Sequence, residues 1–244
     1  MNKIGVALLA LLVSMPLSAR EFEVDPAACA PGCQDEFREV SEDAIALIDY
    51  KALGPAEPGG LAGFGIGAFV SWLPIDEESA WNTVTGENFS GVGLVGAQVT
   101  KGLPLDLDVG AFYTAMPETD VKAYGAELRY AILEGSTATP ALALRGAWST
   151  VDGIEDFELE SKSLDLSLSK GFTLLTPYVG AGYVWGKSTP DPAITASTGL
   201  REEKVEEFKA YLGVRIALGF FELTPELERV GETSLYTLRI GFGI

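Results

Sequence analysis

The sequence has no histidine among its 244 residues and only two cysteines. Without an imidazole, the chain cannot build a Ser-His-Asp triad or an Asp-His pair, in which histidine acts as the general base. Two thiolates without histidine make half of a typical zinc site, so we expect no metal and no cofactor. Asp106 and Asp108 leave a paired-carboxylate mechanism formally open, but such neighbours arise by chance in an acidic chain. We therefore expect that the protein is not an enzyme.

Basic residues and long apolar runs are also scarce. The chain has 17 Lys and Arg against 35 Asp and Glu, a formal net charge of −18, which argues against nucleic acid as a partner. The apolar run Ile4–Val13 follows the basic Lys3 and precedes the small residues Leu17-Ser18-Ala19. This pattern predicts a secretory signal peptide over residues 1–19, because the run is too short to span a bilayer. The remaining chain is expected to be exported.

From Leu61 to the end of the chain, apolar residues recur at every second position, as in half-buried strands. The pattern predicts about ten strands, with weaker signals at Phe89–Thr100, Ala141–Thr150 and Phe221–Arg229. Pro225 falls inside the ninth strand, where it would remove a ladder hydrogen bond. The first strand shows the alternation clearly, since its apolar face consists of Ala62, Phe64, Ile66, Ala68, Val70 and Trp72.

The alternation could come from a soluble sandwich or from a membrane barrel, and three features favour the barrel. The second face of the strands is rich in Gly, Ala and Ser, whereas a soluble sandwich needs charge there. Long connections at Pro74–Glu87 and Ser188–Lys204 alternate with short ones at Lys101–Pro104 and Gly219-Phe220. Aromatic residues fall near strand ends, as in an interfacial girdle: Trp72, Phe89, Tyr113, Trp148 and Trp185. We predict an all-β fold, a closed antiparallel up-and-down transmembrane barrel over residues 61–244.

The final strand carries a resemblance to a known class of protein. Its apolar face, a terminal assembly strand, consists of Tyr236, Leu238, Ile240, Phe242 and Ile244, and it resembles that of small outer-membrane β-barrels of Gram-negative bacteria. Ile244 replaces the aromatic residue that usually closes this signal. The stretches YKALGPAEPGGLAGFGIGAFV, GLPLDLDVGAFY and GAELRYAILEG also resemble an uncharacterised family of such barrels. The resemblance implies location in the cell outer membrane, contact with its lipid and lipopolysaccharide, and insertion by the barrel assembly machinery. It indicates no oligomeric state.

Residues 20–60 form an acidic, proline-punctuated extension before the predicted barrel. Cys29 and Cys33 are expected to form a disulfide, because exported proteins meet an oxidising compartment. A helical pattern predicts one amphipathic helix within 35–53, with Ser41 as a plausible N-cap. Its apolar residues are Phe37, Val40, Ala44, Ile45 and Ile48. The extension is either periplasmic or packed in the barrel lumen.

Charged residues on the non-lipid face of the predicted strands leave two interpretations open. They either pair with one another or line a path for a solute. The ten candidates are Asp108, Glu127, Arg129, Arg145, Asp165, Lys209, Arg215, Glu226, Glu228 and Arg239.

Glycines leave the same face bare along several strands, so either water or the N-terminal helix is expected beside them. They are Gly63, Gly65, Gly67, Gly180, Gly182, Gly186, Gly213, Gly241 and Gly243. The predicted function is a narrow pore for passive transport of a small solute. The alternative is a non-conducting structural or adhesion barrel of the envelope.

Overall fold

The computed structural model describes residues 23–29, 32–75, 80–87, 90–117 and 119–243. The predicted signal peptide (1–19), Phe89 and Ile244 lie outside these residues. Within them the chain forms ten strands and three helices. The helices are α1 (Gln34–Ile48), α2 (Ala80–Thr85) and α3 (Pro192–Thr198). The strands are β1 (Phe64–Pro74), β2 (Gly91–Gly102), β3 (Leu107–Ala115), β4 (Lys122–Leu133), β5 (Ala141–Asp152), β6 (Phe157–Ser169), β7 (Leu175–Pro190), β8 (Glu203–Leu218), β9 (Phe221–Val230) and β10 (Thr233–Gly243).

The strands close into a single antiparallel barrel in which each strand pairs with its neighbours in sequence. The seam joins β1 to β10, with Gly65 opposite Gly243 and Trp72 opposite Tyr236. Closure pairs the edges that an open sheet would expose, so no strand edge has to be covered in another way. The predicted closed ten-stranded barrel is thus confirmed.

Pro225 lies inside β9, as its position in the sequence predicted. It faces Leu238 of β10, but the paired positions between β8 and β9 pass from Gly213–Glu226 to Ile216–Leu223 without including it. Proline has no N–H to donate, so a local gap in one ladder is the expected cost. The closed barrel tolerates the gap because β9 is held on its other side by β10.

The connections divide between two ends of the barrel. We call the end where β1 begins and β10 ends the terminal end, and the opposite end, which carries α2 and α3, the loop end.

The prediction of a loop over Ser188–Lys204 was wrong at both edges, since β7 runs to Pro190 and β8 begins at Glu203. Ser188 and Glu203 are paired, which extends the hairpin beyond the apolar alternation. The predicted first strand was also too long at its start, because residues 60–63 form a turn closed by the Gly63 N–H and the Gly60 carbonyl at 3.0 Å.

The outer wall of the barrel carries an apolar band, with aromatic side chains toward both ends. Exposed aromatics toward the loop end include Tyr113, Trp148 and Trp185, while Phe64 and Phe220 lie at the terminal end. Phe220 is the extreme case, with 80% of its surface exposed. An apolar band with aromatic residues at its borders is typical of barrels that face lipid. Among the described residues, no helix has the length and apolar character needed to cross a bilayer.

Helix α1 lies inside the barrel, where its apolar residues meet the inward faces of the strands. Phe37, Val40 and Ile45 are buried, as the helical pattern predicted for an amphipathic segment. The helix begins at Gln34, so the prediction of Ser41 as its N-cap was wrong. Ser41 lies in the helix interior, and its hydroxyl donates to the Phe37 carbonyl at 2.7 Å, four residues back. The helix ends at Ile48, well before residue 53.

Candidate functional site

The N-terminal segment passes through the lumen from one end of the barrel to the other. At the loop end, the Val24 N–H donates to Asp156 Oδ2 at 2.6 Å, and Gln34 Nε2 donates to the Arg201 carbonyl at 3.2 Å. At the terminal end, the Gly59 N–H donates to Asp108 Oδ1 at 3.0 Å. We call residues 34–59 the plug. The candidate functional site is the interior that this plug shares with the barrel wall.

The upper layer of the plug, nearest the loop end, is mainly apolar. Phe37 meets Phe157 of β6 edge to face, with ring centroids 5.8 Å apart. Ile45 fills the space left by Gly186 of β7, where an added Cβ would overlap the Ile45 side chain. The layer also contains Asp43, whose carboxylate accepts hydrogen bonds from Trp81 Nε1 at 2.7 Å and Thr233 Oγ1 at 2.6 Å. Side chains of α1 are thus in direct contact with the barrel wall in this layer.

A network of buried charges fixes the chain just after α1. Lys209 of β8 is fully buried, and its Nζ lies 2.5 Å from Asp49 Oδ2 and 3.1 Å from Glu228 Oε2. Lys51 Nζ lies 2.9 Å from Glu228 Oε1 and donates to the Ala46 carbonyl near the helix C-terminus at 2.6 Å. The four charges alternate in sign, so each carboxylate is compensated by an ammonium group.

A second network surrounds Arg145 of β5. Its guanidinium donates to Asp165 Oδ2 from Nε at 3.0 Å and from Nη2 at 2.9 Å. It also lies over the rings of Tyr50 and Tyr211, at 5.8 and 5.3 Å from their centroids, within the range of cation–π attraction. Tyr211 completes the group by donating its hydroxyl to Asp165 Oδ1 at 2.6 Å. Plug and wall therefore share this network through the Tyr50 ring.

The segment below these networks is held mainly through its backbone. Glu226 Oε2 accepts from the Leu53 N–H at 2.9 Å and from the Tyr178 hydroxyl at 2.7 Å. The Ala56 N–H donates to Ser169 Oγ at 3.0 Å. Wall side chains thus replace the hydrogen bonds that an extended chain would otherwise make to water.

All ten charged residues predicted for the lumen lie on inward faces and are buried or half-buried. Nine of them form ion pairs with one another or with four charges that the sequence reasoning missed, whereas Glu226 accepts hydrogen bonds from Leu53 and Tyr178. The four missed charges are Asp49, Lys51, Glu57 and Glu222. The first three lie in the stretch after α1. In the sequence, the occurrence of charges within an otherwise apolar run was the signal that could have identified them as lumen residues. Whether the ten charges guide a solute stays a prediction.

The other candidate residues are placed as follows. Cys29 and Cys33 form a disulfide immediately before α1. Tyr236, Leu238, Ile240 and Phe242 of the terminal assembly strand all pair with β1. Asp106 lies in the turn before β3 with φ 58°, so it does not share a strand face with Asp108, as the formally open carboxylate pair would require. The part of the chain that the structure describes holds no cluster of His, Cys, Asp or Glu arranged for a metal ion.

Comparison with known proteins gives similarity in fold alone. No protein-family model and no curated protein matches the chain, so the resemblance to an uncharacterised family stays a prediction. Solved outer-membrane barrels do match. The N-terminal barrel domain of Pseudomonas aeruginosa OprF is 14% identical, with 76% of this chain and 99% of that one covered and a TM-score of 0.38. The Escherichia coli outer-membrane protease OmpT is 9% identical, with 75% and 97% covered and a TM-score of 0.43. The KdgM porin is 5% identical, with 72% and 99% covered and a TM-score of 0.37.

Proposed function

We propose that this protein is an outer-membrane barrel closed by its own N-terminal segment, with a structural role in the envelope and no conducting path. The observation that carries the proposal is the plug itself, which occupies the lumen from the loop end to the terminal end. Of the two predicted functions, this is the non-conducting one. The missing histidine supports the further proposal that the barrel is not an enzyme.

Energetics supports a plug that stays in place. Withdrawing it would break the contacts of Asp49 with Lys209 and of Lys51 with Glu228, and would leave the Lys209–Glu228 contact as the remaining ion pair of this network. Breaking a buried ion pair by removing one partner costs about 3–5 kcal/mol where the remaining charge stays buried. Apolar contacts of α1 would be lost as well. The open state is therefore expected to be rare.

The character of the outer wall supports outer-membrane lipid and lipopolysaccharide as partners of the protein. Its apolar band would contact outer-membrane lipid, and the aromatic residues at its borders would lie at the interfaces. The loop end would face outward toward lipopolysaccharide, since outer-membrane barrels carry their longer loops outside. Insertion would use the barrel assembly machinery, for which the paired final strand β10 is the expected signal.

A narrow pore is the second candidate, and one observation favours it. A polar cavity lined by charged residues enters the lumen from the terminal end, beside plug residues 52–59. A pore would require this cavity to continue past Lys209 and α1, where side chains now fill the lumen. Conduction would thus depend on displacement of the plug.

Recording in planar bilayers distinguishes the two candidates. We would compare refolded protein comprising residues 20–244 with a variant lacking residues 21–58, and with a control lacking α3, a helix outside the lumen. We expect no discrete current steps from the full chain or from the control, and steps from the plug deletion. Steady conductance steps from the full chain would contradict the closed-barrel proposal, whether or not the deletion variant folds.

A further inference from the structure

A cavity of about 300 Å³ lies at the terminal end of the lumen, between plug residues 52–59 and the barrel wall. Bare backbone at Gly65, Gly102 and Gly243 forms part of its lining. The volume is at the lower limit of pockets that hold small organic ligands. The cavity is therefore large enough for a small solute, and the strands separate it from the surrounding lipid.

The seam glycines accommodate one arginine of this cavity. A Cβ added at Gly67 would lie 2.6 Å from Arg239 Nε, and one added at Gly241 would lie 2.6 Å from Arg239 Cζ. The Arg239 side chain thus lies flat against the seam between β1 and β10, with only 6% of it exposed. Side chains at these two positions would displace it, so the bare wall positions a guanidinium beside the cavity.

Arg239 is poorly paired for a buried cation. Its nearest carboxylate oxygen is Glu222 Oε2 at 3.6 Å, and its Nε has no acceptor among the described residues. Arg215 Nη1 lies 3.7 Å from Glu222 Oε1, so two guanidinium groups share one carboxylate without a close contact. Arg145, in contrast, makes two hydrogen bonds of 2.9 and 3.0 Å to one carboxylate.

Asp108 and Glu57, two other carboxylates at the cavity, are already engaged, and a third, Glu127, lies 3.6 Å from Arg145 Nη1. Asp108 Oδ2 accepts from Arg129 Nη2 at 2.9 Å, and its Oδ1 accepts from the Gly59 N–H. Glu57 Oε2 accepts from Arg215 Nη2 at 3.2 Å. The unused donors beside the cavity are therefore those of Arg239, with Arg215 as a weakly paired neighbour.

We propose that Arg239 and Arg215 form a binding site for a small soluble oxyanion, a solute that bears a carboxylate or phosphate group. The planar fork of a guanidinium matches both groups, and a bound oxyanion would supply the acceptors that Arg239 Nε and the neighbouring N–H groups lack. The strands place the site away from lipid, which favours a soluble ligand over a lipid headgroup. The site is reached from the terminal end, so it goes beyond the closed-barrel role and does not depend on it.

Isothermal titration calorimetry tests the site, with the full chain (residues 20–244) refolded in uncharged detergent and with inorganic phosphate and acetate as probes. We expect saturable binding, about tenfold weaker in Arg239→Lys, which keeps the charge but loses the fork, and absent in Arg239→Gln. Arg229→Gln, on the exposed outer wall, is the matched control and should bind as the original chain does. Equal binding by Arg239→Gln would overturn the proposal.

A second measurement avoids dependence on variants that fail to fold. The Nε–H resonance of Arg239 in the unaltered chain should shift in a saturable way as phosphate or acetate is added. Absence of both heat and shift at millimolar probe would mean that water alone satisfies Arg239, and would overturn the proposal. A shift caused only by phosphatidylglycerol in mixed micelles would assign the site to a lipid headgroup and overturn the soluble ligand. Neither result bears on the conductance of the barrel, so failure here and failure of the closed-barrel proposal are distinguishable.

Discussion

Single buried charges decide how the plug is held. Lys209 is the clearest case, because it joins the plug to the wall through Asp49 and joins two acidic residues that would otherwise repel each other. It also donates to the Tyr50 carbonyl at 2.9 Å, so its ammonium group makes two hydrogen bonds to the plug, one to Asp49 and one to Tyr50. A residue of this kind is costly to remove, since its partners Asp49 and Glu228 are themselves buried.

Lys209→Met is expected to destabilise the folded barrel by about 3–5 kcal/mol, because Asp49 loses its ammonium partner while buried. Guanidinium unfolding of refolded protein in detergent measures the change. Lys204→Met on the same strand faces outward and is exposed, so it serves as control and should change the free energy of unfolding by less than about 1 kcal/mol. Adding Asp49→Asn to Lys209→Met should recover part of the loss, as expected for residues in direct contact. Equal effects of the two lysine substitutions would contradict this account.

At the scale of elements, the contact between α1 and the wall depends on a glycine in β7. Gly186 admits the Ile45 side chain, and Phe37 packs on the start of β6. These contacts orient the amphipathic helix with its apolar residues toward the strands near the loop end. The same helix outside the barrel would expose that face to water.

Gly186→Val is expected to cost about 1–3 kcal/mol, because the added methyl groups enter the volume that Ile45 occupies. Combining it with Ile45→Ala should give a loss smaller than the sum of the two single losses, since one change makes room for the other. Gly146→Val is the matched control, because a Cβ at that position meets only Leu164 Cδ1 at 3.9 Å. Thermal or denaturant unfolding supplies the measurement. Strict additivity of the pair would show that α1 does not pack at Gly186.

For the whole molecule, the direction of the plug places two parts of the chain at opposite ends of the barrel. The segment before α1 lies at the loop end, where the Asp25 N–H donates to the Val84 carbonyl at 2.9 Å. The connection 134–140 lies at the terminal end. If the longer loops face outward, the segment around Ala27 is displayed on the cell surface although it precedes the barrel in sequence.

Labelling of intact cells with a membrane-impermeant maleimide tests this orientation. In a background with Cys29→Ala and Cys33→Ala, Ala27→Cys is expected to react on intact cells. Thr137→Cys, exposed at the terminal end, should react only after the outer membrane is permeabilised. The reverse pattern would show that the loop end faces the periplasm, so that the plug enters the barrel from the periplasmic side.

The sequence by itself determined the barrel and its strand faces. Alternation with period two is a local property, and a one-residue shift would move every apolar side chain to the other face. The ten charges assigned to the non-lipid face from this rule all lie inside, together with Glu222 of β9, which the rule was not applied to. Helix α1 was predictable because its 3.6-residue periodicity is also a local property, although Ser41 was wrongly assigned as its N-cap, since a hydroxyl can cap a helix or bond back within one.

Only the tertiary structure decided what fills the lumen and which charges meet. Asp49 and Lys209 are separated by 160 residues, and no local pattern specifies their contact. The glycines of the seam were visible in the sequence, but bare wall alone fits water, a helix or a folded side chain equally well. The structure places Ile45 against Gly186 and Arg239 against Gly67 and Gly241. Periodicity determines which way a side chain points, whereas closure of the barrel around the plug determines what it touches.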